Sequence, residues 1–190
     1  MKKAFSGVFM LTALIAGVLT LHGSDFACTV LGIPNAANMC TEADEVVRAT
    51  AIKYIRRPAS QFLTNGVPHS KIDFHVEQVL KGDSTLHNLI LNGYLSDRDD
   101  FNDTPVPYKI VRPNGRTGSC FANTYKRGAQ FLLFLKRSKD VKMPGITTRF
   151  TVNFAPAAPV NEQLHSANDP WLYYIEGVLD GLKGPKMLHK

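Results

Sequence analysis

Three cysteines carry the most specific chemistry in this sequence: Cys28, Cys40 and Cys120. Cys28 follows a hydrophobic leader, and removal of the leader after Ala27 would make Cys28 the first residue of the mature protein. Such a residue has two adjacent ligand atoms, its α-amino nitrogen and its carbonyl oxygen, and a neutral amine suits zinc. An unperturbed α-amino group has a pKa of about 7.7–8.0, so losing its proton near neutral pH costs little when a metal binds. The stretch Cys28-Thr29-Val30-Leu31 therefore indicates a terminus able to chelate zinc.

The leader has the pattern of a signal peptide over residues 1–27. Lys2 and Lys3 supply the charged beginning, and Val8 to Leu21 is a largely apolar run of 14 residues, short for a membrane span. No run of 18 apolar residues follows, so we expect a mature chain without a membrane span. Residues 28–190 then suit a single domain.

The position of cleavage stays open. Ala27 suits the last position of a leader, but Asp25 fits poorly two positions before it. Cleavage after Gly23 or Ser24 is the alternative, and it would leave an extension in front of Cys28. Bacterial lipidation of Cys28 would want an aliphatic residue where Asp25 stands. We expect a secreted, extracellular protein, which in a bacterium would be periplasmic or lipid-anchored.

Export makes the cysteines candidates for disulfide bonds. Their odd number leaves one of the three unpaired. A bridge from Cys28 to Cys40 would close a short local loop, whereas a bridge from Cys28 to Cys120 would tie the N-terminus to the middle of the domain. Spacing alone does not choose between these pairings.

Composition restricts the classes of partner. Apolar residues make up 44% of the chain and charged residues 20%, which is typical of a globular domain. The net charge of +6 is mildly basic and favours an acidic polysaccharide or an acidic protein as partner. Basic residues are scattered or occur in pairs such as Lys126-Arg127, so we expect no nucleic-acid binding.

Motifs of enzymes are missing from the sequence. The six histidines form no HExxH or other zinc spacing, and there is no GxSxG. A nucleophilic Cys40 or Cys120 would need a nearby histidine that the sequence does not place. We therefore expect a protein that is not an enzyme and has no cofactor of its own.

Alternating apolar residues predict a mainly β fold. The strands expected are Glu45 to Ile55, Lys71 to Leu80, Leu86 to Tyr94, Gln130 to Leu135 and Thr147 to Phe154. The fourth is apolar on both faces, as in a strand between a barrel interior and a helix. Together the strands predict a small closed Greek-key barrel of the OB type with a C-terminal helix. The residues expected in its core are Ile72, Phe74, Val76, Phe131, Leu133, Phe150 and Val152.

The C-terminal helix has a recognisable start. Asp169 can cap it and Pro170 suits its first turn. A stripe at helical spacing predicts the face that packs on the barrel: Trp171, Ile175, Val178 and Leu182.

A long loop runs from Ser96 to Gly118. Asp97, Asp99 and Asp103 hint at a calcium loop, but no glycine or late glutamate completes the ligand set, which favours a polar surface loop. Asn102-Asp103-Thr104 is a sequon that makes Asn102 a glycosylation candidate in a eukaryotic host.

The ordered set of features resembles the netrin-like domain of tissue inhibitors of metalloproteinases. Cys28-Thr29-Val30 stands where that family has Cys-x-Cys at the mature N-terminus, and Cys40 has the spacing of its third cysteine. The remaining segments that resemble the family are Val47-Arg48-Ala49, Val79-Leu80-Lys81-Gly82, Gly118-Ser119-Cys120, Gln130-Phe131-Leu132-Leu133 and Phe154-Ala155-Pro156.

The sequence departs from the family in its cysteines. Val30 replaces the second cysteine, and the family partner of that cysteine corresponds to Asn153, so both halves of one bridge are lost together. No cysteine follows Cys120, so the partner of Cys40 is also missing. The resemblance then implies a Cys28–Cys120 disulfide with Cys40 left over. Residues 157–190 stand in the place of the cysteine-rich C-terminal subdomain of the vertebrate inhibitors.

The resemblance implies a secreted inhibitor of a zinc metalloendopeptidase. The amine and carbonyl of Cys28 would chelate the catalytic zinc of the target, so the metal belongs to the partner. Thr29 would enter the adjacent specificity pocket. The flanking inhibitory ridge would comprise Val30, Leu31, Pro34, Ser119 and Cys120.

The alternative is an extracellular netrin-like binding module without inhibitory activity. Such a module would bind a polysaccharide, a receptor or a matrix protein through its basic surface. Loss of one of the bridges that anchor the ridge favours this alternative. So does any cleavage before Ala27, because an extension blocks the amine.

Overall fold

The structure, a computed structural model, describes residues 34–56, 63–64, 67–68, 70–116, 122–137, 152–157 and 160–183. This part of the chain is mainly β, as predicted, with two helices, α1 (Ala36–Glu42) and α2 (Pro170–Leu182). The strands are β1 (Glu45–Arg56), β2 (Leu63–Thr64), β3 (Val67–Pro68), β4 (Lys71–Lys81), β5 (Asn88–Asn92), β6 (Tyr94–Ser96), β7 (Thr124–Lys126), β8 (Gln130–Arg137), β9 (Val152–Pro156) and β10 (Glu162–Gln163).

The main sheet has six strands in the order β1-β4-β5-β9-β8-β10, and β1 also pairs with β8. The β5–β9 pair is parallel, and the other pairs of this sheet are antiparallel. Two short pairs lie apart from it, antiparallel β2–β3 and parallel β6–β7. No helix in the described ranges combines the length and apolar character needed to cross a bilayer.

Strand β1 pairs with β8 along one edge and with β4 along the other. Its register with β8 begins with Glu45 opposite Leu135. Against β4 the register shifts at four points, and each such irregularity bends or twists the strand locally. Ala49 and Ala51 are fully buried and pack with residues of β4, β5 and β8, so small residues line this face of the strand.

Strand β8 separates two apolar clusters. Phe131, Leu133 and Leu135 pack on one face with residues of β1, β4 and β5. Leu132 and Phe134 pack on the other with residues of α1 and α2. The two-sided burial predicted for this segment is confirmed. So is burial of five predicted core residues: Ile72, Phe74, Val76, Phe131 and Leu133. Phe150 and the side chain of Val152 lie outside the described part.

Helix α2 starts as predicted, but one residue of its predicted packing face is exposed. The carboxylate of Asp169 caps it by accepting a hydrogen bond from the backbone N of Trp171 at 2.8 Å. The prediction was wrong at Leu182, which is 50% exposed. It lies in the last turn, where it lines an open groove with Cys40 instead of packing in the core. The residues that α2 buries are Trp171, Leu172, Ile175 and Leu179, with Val178 partly buried.

Candidate functional site

Of the predicted inhibitory residues, the structure describes Pro34, which is half-buried and precedes α1. Cys28, Thr29, Val30 and Leu31 lie outside the described residues, as do Ser119 and Cys120. The zinc-chelating terminus and the Cys28–Cys120 bridge therefore stay predictions. What the structure does describe is how the chain is held after residue 33 and on both sides of residues 117–121.

Helix α1 fixes the chain just after Pro34. Asn35 caps the helix by accepting a hydrogen bond from the backbone N of Asn38 at 2.9 Å. Ala36, Met39 and Cys40 are buried in the cluster that contains Trp171 of α2. Cys40 is a free thiol, and burial raises its pKa to about 11. The helix therefore fixes the chain at the point where the N-terminal segment ends. Because its pKa is raised, the Cys40 thiol is protonated at neutral pH.

Lys81 holds the other end of α1. Its Nζ atom donates hydrogen bonds to the carbonyl oxygens of Cys40 at 2.7 Å, Thr41 at 3.0 Å and Ala43 at 2.7 Å. These carbonyls belong to the C-terminal turn of α1, where backbone acceptors lack helical partners and a cation is favourable. One side chain at the end of β4 therefore anchors the helix to the sheet.

The turn after Lys81 has a special backbone conformation. Gly82 has a φ of +108°, which only glycine adopts without strain. The Glu45 carboxylate accepts a hydrogen bond from the backbone N of Asp83 at 2.8 Å and pairs with Arg137 at 2.6 Å. This turn lines an open, charged depression of about 640 Å³.

A buried polar cluster, which we name the Arg112 cluster, lies beneath the long loop. It consists of Asp100, Asn102, Arg112, Asn161 and Glu162, all less than one-tenth exposed. The guanidinium of Arg112 forms an ion pair with the Asp100 carboxylate. It also lies 5.2 Å from the centroids of the Tyr125 and Phe131 rings, a distance at which a cation is attracted by an aromatic face.

Arg112 also donates to three backbone carbonyls. The acceptors are Asn161 O at 2.9 Å from Nε, Thr124 O at 2.7 Å from Nη1 and Ala122 O at 3.2 Å from Nη2. Arg112 and Ala122 lie on opposite sides of residues 117–121 in the chain. The described residues on both sides of the predicted Ser119–Cys120 ridge segment are therefore held by one buried side chain.

The other members of the cluster extend these links. Asp100 Oδ1 accepts a hydrogen bond from the backbone N of Asn114 at 3.1 Å, and Glu162 Oε1 accepts one from the backbone N of Arg112 at 3.2 Å. Asn161 Oδ1 accepts one from the backbone N of Phe134 at 2.7 Å. The loop is thus tied to β10 through Glu162 and to β8 through Asn161.

Glu162 has the most altered acidity in the cluster. Burial raises its pKa to about 7, against the smaller opposing effect of the Arg112 charge. Its Oε2 atom has no hydrogen-bond partner in the described part of the chain. Burial, together with the charges of Asp169 and Glu162, raises the pKa of Tyr108 to about 12. Near neutral pH the buried carboxyl of Glu162 is therefore present in both its protonated and its ionised form.

Two exposed aspartates of the long loop are paired with cations. Asp99 accepts a hydrogen bond from Lys126 Nζ at 2.7 Å, and Asp103 pairs with Arg116. Hydrogen bonds from Lys126 and Arg116 lower the pKa values of Asp99 and Asp103, respectively. Among the described residues, no group of three or more His, Cys, Asp or Glu side chains could hold a metal ion.

The glycosylation candidate Asn102 is only 7% exposed. Its Oδ1 atom accepts hydrogen bonds from the backbone N of Thr104 at 3.1 Å and from the Thr104 hydroxyl at 2.6 Å. Its Nδ2 atom, to which a glycan would be attached, donates to Ile110 O at 2.9 Å. Glycosylation of Asn102 stays a prediction, and this folded arrangement disfavours it because a glycan would disturb the partly buried hydrogen bond to Ile110 O.

Sequence reasoning missed the Arg112 cluster. Arg112 is one arginine in a loop, and its partners lie up to 50 residues away. The one local signal is the polar run Asn161-Glu162-Gln163, which directly follows buried Val160 without the alternation of a half-exposed strand. No protein-family model matches this chain, and no curated protein matches it either.

Proposed function

We propose that this protein is a secreted inhibitor of zinc metalloendopeptidases built on a netrin-like domain, and not an enzyme. The mature amine and carbonyl of Cys28 chelate the catalytic zinc of the target, and Thr29 enters the adjacent pocket. Val30, Leu31 and Pro34 form one side of the ridge, and Ser119 and Cys120 form the other. The zinc ion belongs to the target, so the inhibitor needs no cofactor.

A closed OB-type barrel is the fold that we propose for this domain. Its support is the circuit of strand pairs in which β1 pairs with β4, β4 with β5, β5 with β9, β9 with β8, and β8 with β1. Every strand of that circuit has at least two neighbours, and β8 pairs with β10 as a third. Pairing both edges of a strand is how small antiparallel barrels avoid edge-to-edge association.

The observation that best supports the inhibitory proposal is the hydrogen bond from Arg112 to Ala122, which joins the two sides of residues 117–121. The Arg112 guanidinium holds Ala122 O while the Arg112 backbone belongs to the loop on the other side of residues 117–121. Helix α1 anchors the chain after Pro34 by burying apolar residues against α2. A binding surface whose supports are already ordered loses less conformational entropy on association. Rigid supports on both sides are what a protruding inhibitory ridge needs.

The inhibitory mechanism would require no bond breaking. Catalytic zinc sites keep an open coordination position that holds water. The amine nitrogen and carbonyl oxygen of Cys28 would take that position and displace the water. The flanking ridge would bury an interface of the standard size, about 1,600 Å² in total. A disulfide from Cys28 to Cys120 would keep the two ligand atoms in place.

The decisive experiment compares two forms of the protein, one beginning at Cys28 and one with a single alanine in front of it. Each is titrated against several zinc endopeptidases. We expect inhibition by the native terminus and none by the extended one, because an acyl group removes the amine lone pair. Thr29→Gly should weaken inhibition to a different degree for each protease, since it empties a pocket without touching the metal. Equal potency of the two termini would contradict the mechanism.

The disulfide is tested separately by peptide mapping under non-reducing conditions. We expect a Cys28–Cys120 peptide and free Cys40, in agreement with the buried, unpaired Cys40 thiol. The bridge closes a loop of about 90 residues, so its reduction should lower the unfolding free energy by several kcal/mol, about 4–5 in the chain-entropy model. A Cys28–Cys40 peptide would refute the pairing.

A non-inhibitory extracellular binding module is the second candidate. The observation that favours it is the joint loss of a cysteine pair at Val30 and Asn153, which leaves the N-terminal segment with one bridge fewer. The basic net charge of +6 then suits an acidic polysaccharide or matrix protein. Retention on heparin that salt elutes, together with no inhibition by either terminus, would favour this candidate.

A further inference from the structure

Glu162 occupies a buried position between the long loop and β8. Its Oε1 atom accepts a hydrogen bond from the backbone N of Arg112 at 3.2 Å, and its Oε2 atom makes no hydrogen bond within the described ranges. In the sheet, Glu162 lies opposite Leu132, an apolar residue of β8. A half-satisfied buried carboxyl is costly to ionise.

The charged groups around Glu162 are already paired with one another. Arg112 pairs with Asp100, and Arg116 pairs with Asp103. From the side of α2, Asp169 adds a second negative charge near Tyr108. An ionised Glu162 therefore has no cation of its own, whereas a neutral Glu162 leaves the surrounding charges balanced.

We propose that Glu162 is a pH-sensitive positioning residue whose ionisation loosens the hold of Arg112 on Ala122 and so weakens the inhibitory surface. This inference rests on the proposed function for its effect on a target, but not for the link between Glu162 and the loop. Neutral Glu162 lets the loop close over it with every charge matched. Ionised Glu162 draws Arg112 towards itself or draws water beneath the loop, and either change competes with the bonds from Arg112 to Asp100 and Ala122.

The physical basis is the balance between burial and attraction. Burial raises the pKa of Glu162 to about 7, and Arg112, the amide of Asn102 and the backbone N of Arg112 oppose that rise only in part. The carboxyl therefore changes its charge within the range of extracellular pH. A mildly acidic solution favours the closed arrangement and a mildly alkaline one disfavours it.

The link is tested by NMR on the isotope-labelled secreted protein between about pH 5 and about pH 9. We expect the side-chain carboxyl carbon of Glu162, the amide of Arg112 and the carbonyl carbon of Ala122 to shift together with one midpoint near pH 7. Titration of Glu162 near the ordinary glutamate value of about 4.3 would overturn the proposal. So would an Ala122 carbonyl that does not follow Glu162.

Two variants separate Glu162 from other carboxyls of the loop. Glu162→Gln keeps an oxygen that accepts from Arg112 N and cannot ionise, so the shared transition should disappear. Asp103→Asn removes an exposed carboxyl from the same loop, and it should keep the transition. Loss of the transition in Asp103→Asn, or its persistence in Glu162→Gln, would overturn the assignment.

The effect on inhibition is measured as the ratio of two inhibition constants. Between about pH 6 and about pH 8 the inhibition constant of the wild type, relative to that of Glu162→Gln, should rise several-fold. The ratio cancels the titration of the target protease and of the Cys28 amine. A constant ratio would overturn the regulatory role. Absence of inhibition by both proteins would overturn the proposed function instead, while the NMR titration still decides the link between Glu162 and Ala122.

Discussion

The Nη2 atom of Arg112 donates a hydrogen bond to the carbonyl oxygen of Ala122 at 3.2 Å, and the Nη1 atom of the same guanidinium pairs with the Asp100 carboxylate. Both contacts are buried. One side chain thus joins the long loop to Ala122, which lies just before β7. This relationship gives Arg112 a structural weight that its place in an irregular loop does not suggest.

Replacing Arg112 by methionine should strongly destabilise the protein. The change leaves the buried Asp100 carboxylate and three carbonyl oxygens without their donor, and breaking a buried ion pair from one side typically costs about 3–5 kcal/mol. Chemical denaturation in urea measures the loss. Lys126→Met is the matched control, because Lys126 pairs with Asp99 at the surface and should change the midpoint little.

A double variant tests the Arg112–Asp100 ion pair in a second way. Asp100→Asn combined with Arg112→Met removes the unpaired charge and should recover part of the lost stability, since the remaining cost is that of neutral polar groups. Equal losses for Arg112→Met and Lys126→Met would show that the ion pair has no special role in the fold.

Gly82 and Gly128 offer a test that separates backbone strain from steric overlap. Both have positive φ, +108° and +76°. A Cβ at Gly82 would overlap the Glu45 carboxylate and lie 2.8 Å from Asp44 O, whereas a Cβ at Gly128 meets nothing within 4 Å. Gly128→Ala should therefore cost the left-handed strain alone, about 1–2 kcal/mol. Gly82→Ala should cost about 1 kcal/mol or more beyond that, and thermal unfolding of the two variants measures the difference.

Lys81 should matter more than an exposed lysine of the same sheet. Lys81→Met removes three hydrogen bonds from a cation to carbonyls at the end of α1, which should cost about 2 kcal/mol or more. Lys53→Met, at an exposed position of β1, is the control and should change stability little. Amide hydrogen exchange adds a local reading, because α1 should lose protection only in Lys81→Met. Equal protection of α1 in the two variants would rule out the anchoring role.

The features that could be predicted from the sequence are those with local causes. Strand β8 was expected to be covered on both faces because its apolar run leaves no polar face, and Leu132 and Leu133 are indeed buried in different clusters. The start of α2 was expected because a capping Asp169 acts on the adjacent turn. These features depend on neighbours within a few residues, which a sequence displays directly.

Features that depend on distant neighbours could not be predicted. The apolar stripe on α2 does not show where the core ends. The helix extends beyond the core, so Leu182 was wrongly predicted to be buried. The Arg112 cluster joins residues up to 50 positions apart, and a polar residue that will be buried looks like any other loop residue. The predicted zinc-chelating terminus at Cys28 lies outside the described residues and remains a proposal.

Leu182, whose burial was wrongly predicted, can be compared directly with Leu179 of the same helix. Leu179 is 6% exposed and Leu182 is 50% exposed. Leu179→Ala should cost about 2–5 kcal/mol, since it removes buried methyl groups and leaves a cavity. Leu182→Ala should stay within about 0.5 kcal/mol, as surface substitutions usually do. Urea denaturation of both variants measures the two losses of stability. A larger loss for Leu182→Ala than for Leu179→Ala would show that Leu182 is buried, as the sequence predicted.

Glu162 should give the stability of the protein an unusual pH dependence. The folded state keeps a proton on Glu162 up to about pH 7, whereas an ordinary glutamate loses it near 4.5. Between these values the folded state binds the extra proton, so the free energy of unfolding falls as pH rises. At 1.36 kcal/mol per pKa unit the loss is on the order of 3 kcal/mol. Asp83, Asp99 and Asp103 have lowered pKa values, so their stabilising effect is lost only in more acidic solution, below about pH 4.

Urea denaturation of the wild type and of Glu162→Gln at several pH values from about 5 to about 8 checks this prediction. We expect the wild type to be most stable at the acidic end and to lose stability steadily until the pH passes the pKa of Glu162 in the folded state. Glu162→Gln should show a flatter profile, because the amide has no proton to release. The difference between the two proteins isolates Glu162, since every other titrating group is shared. A wild type whose stability rises over this range, with a parallel curve for Glu162→Gln, would show that Glu162 is ionised in the folded protein.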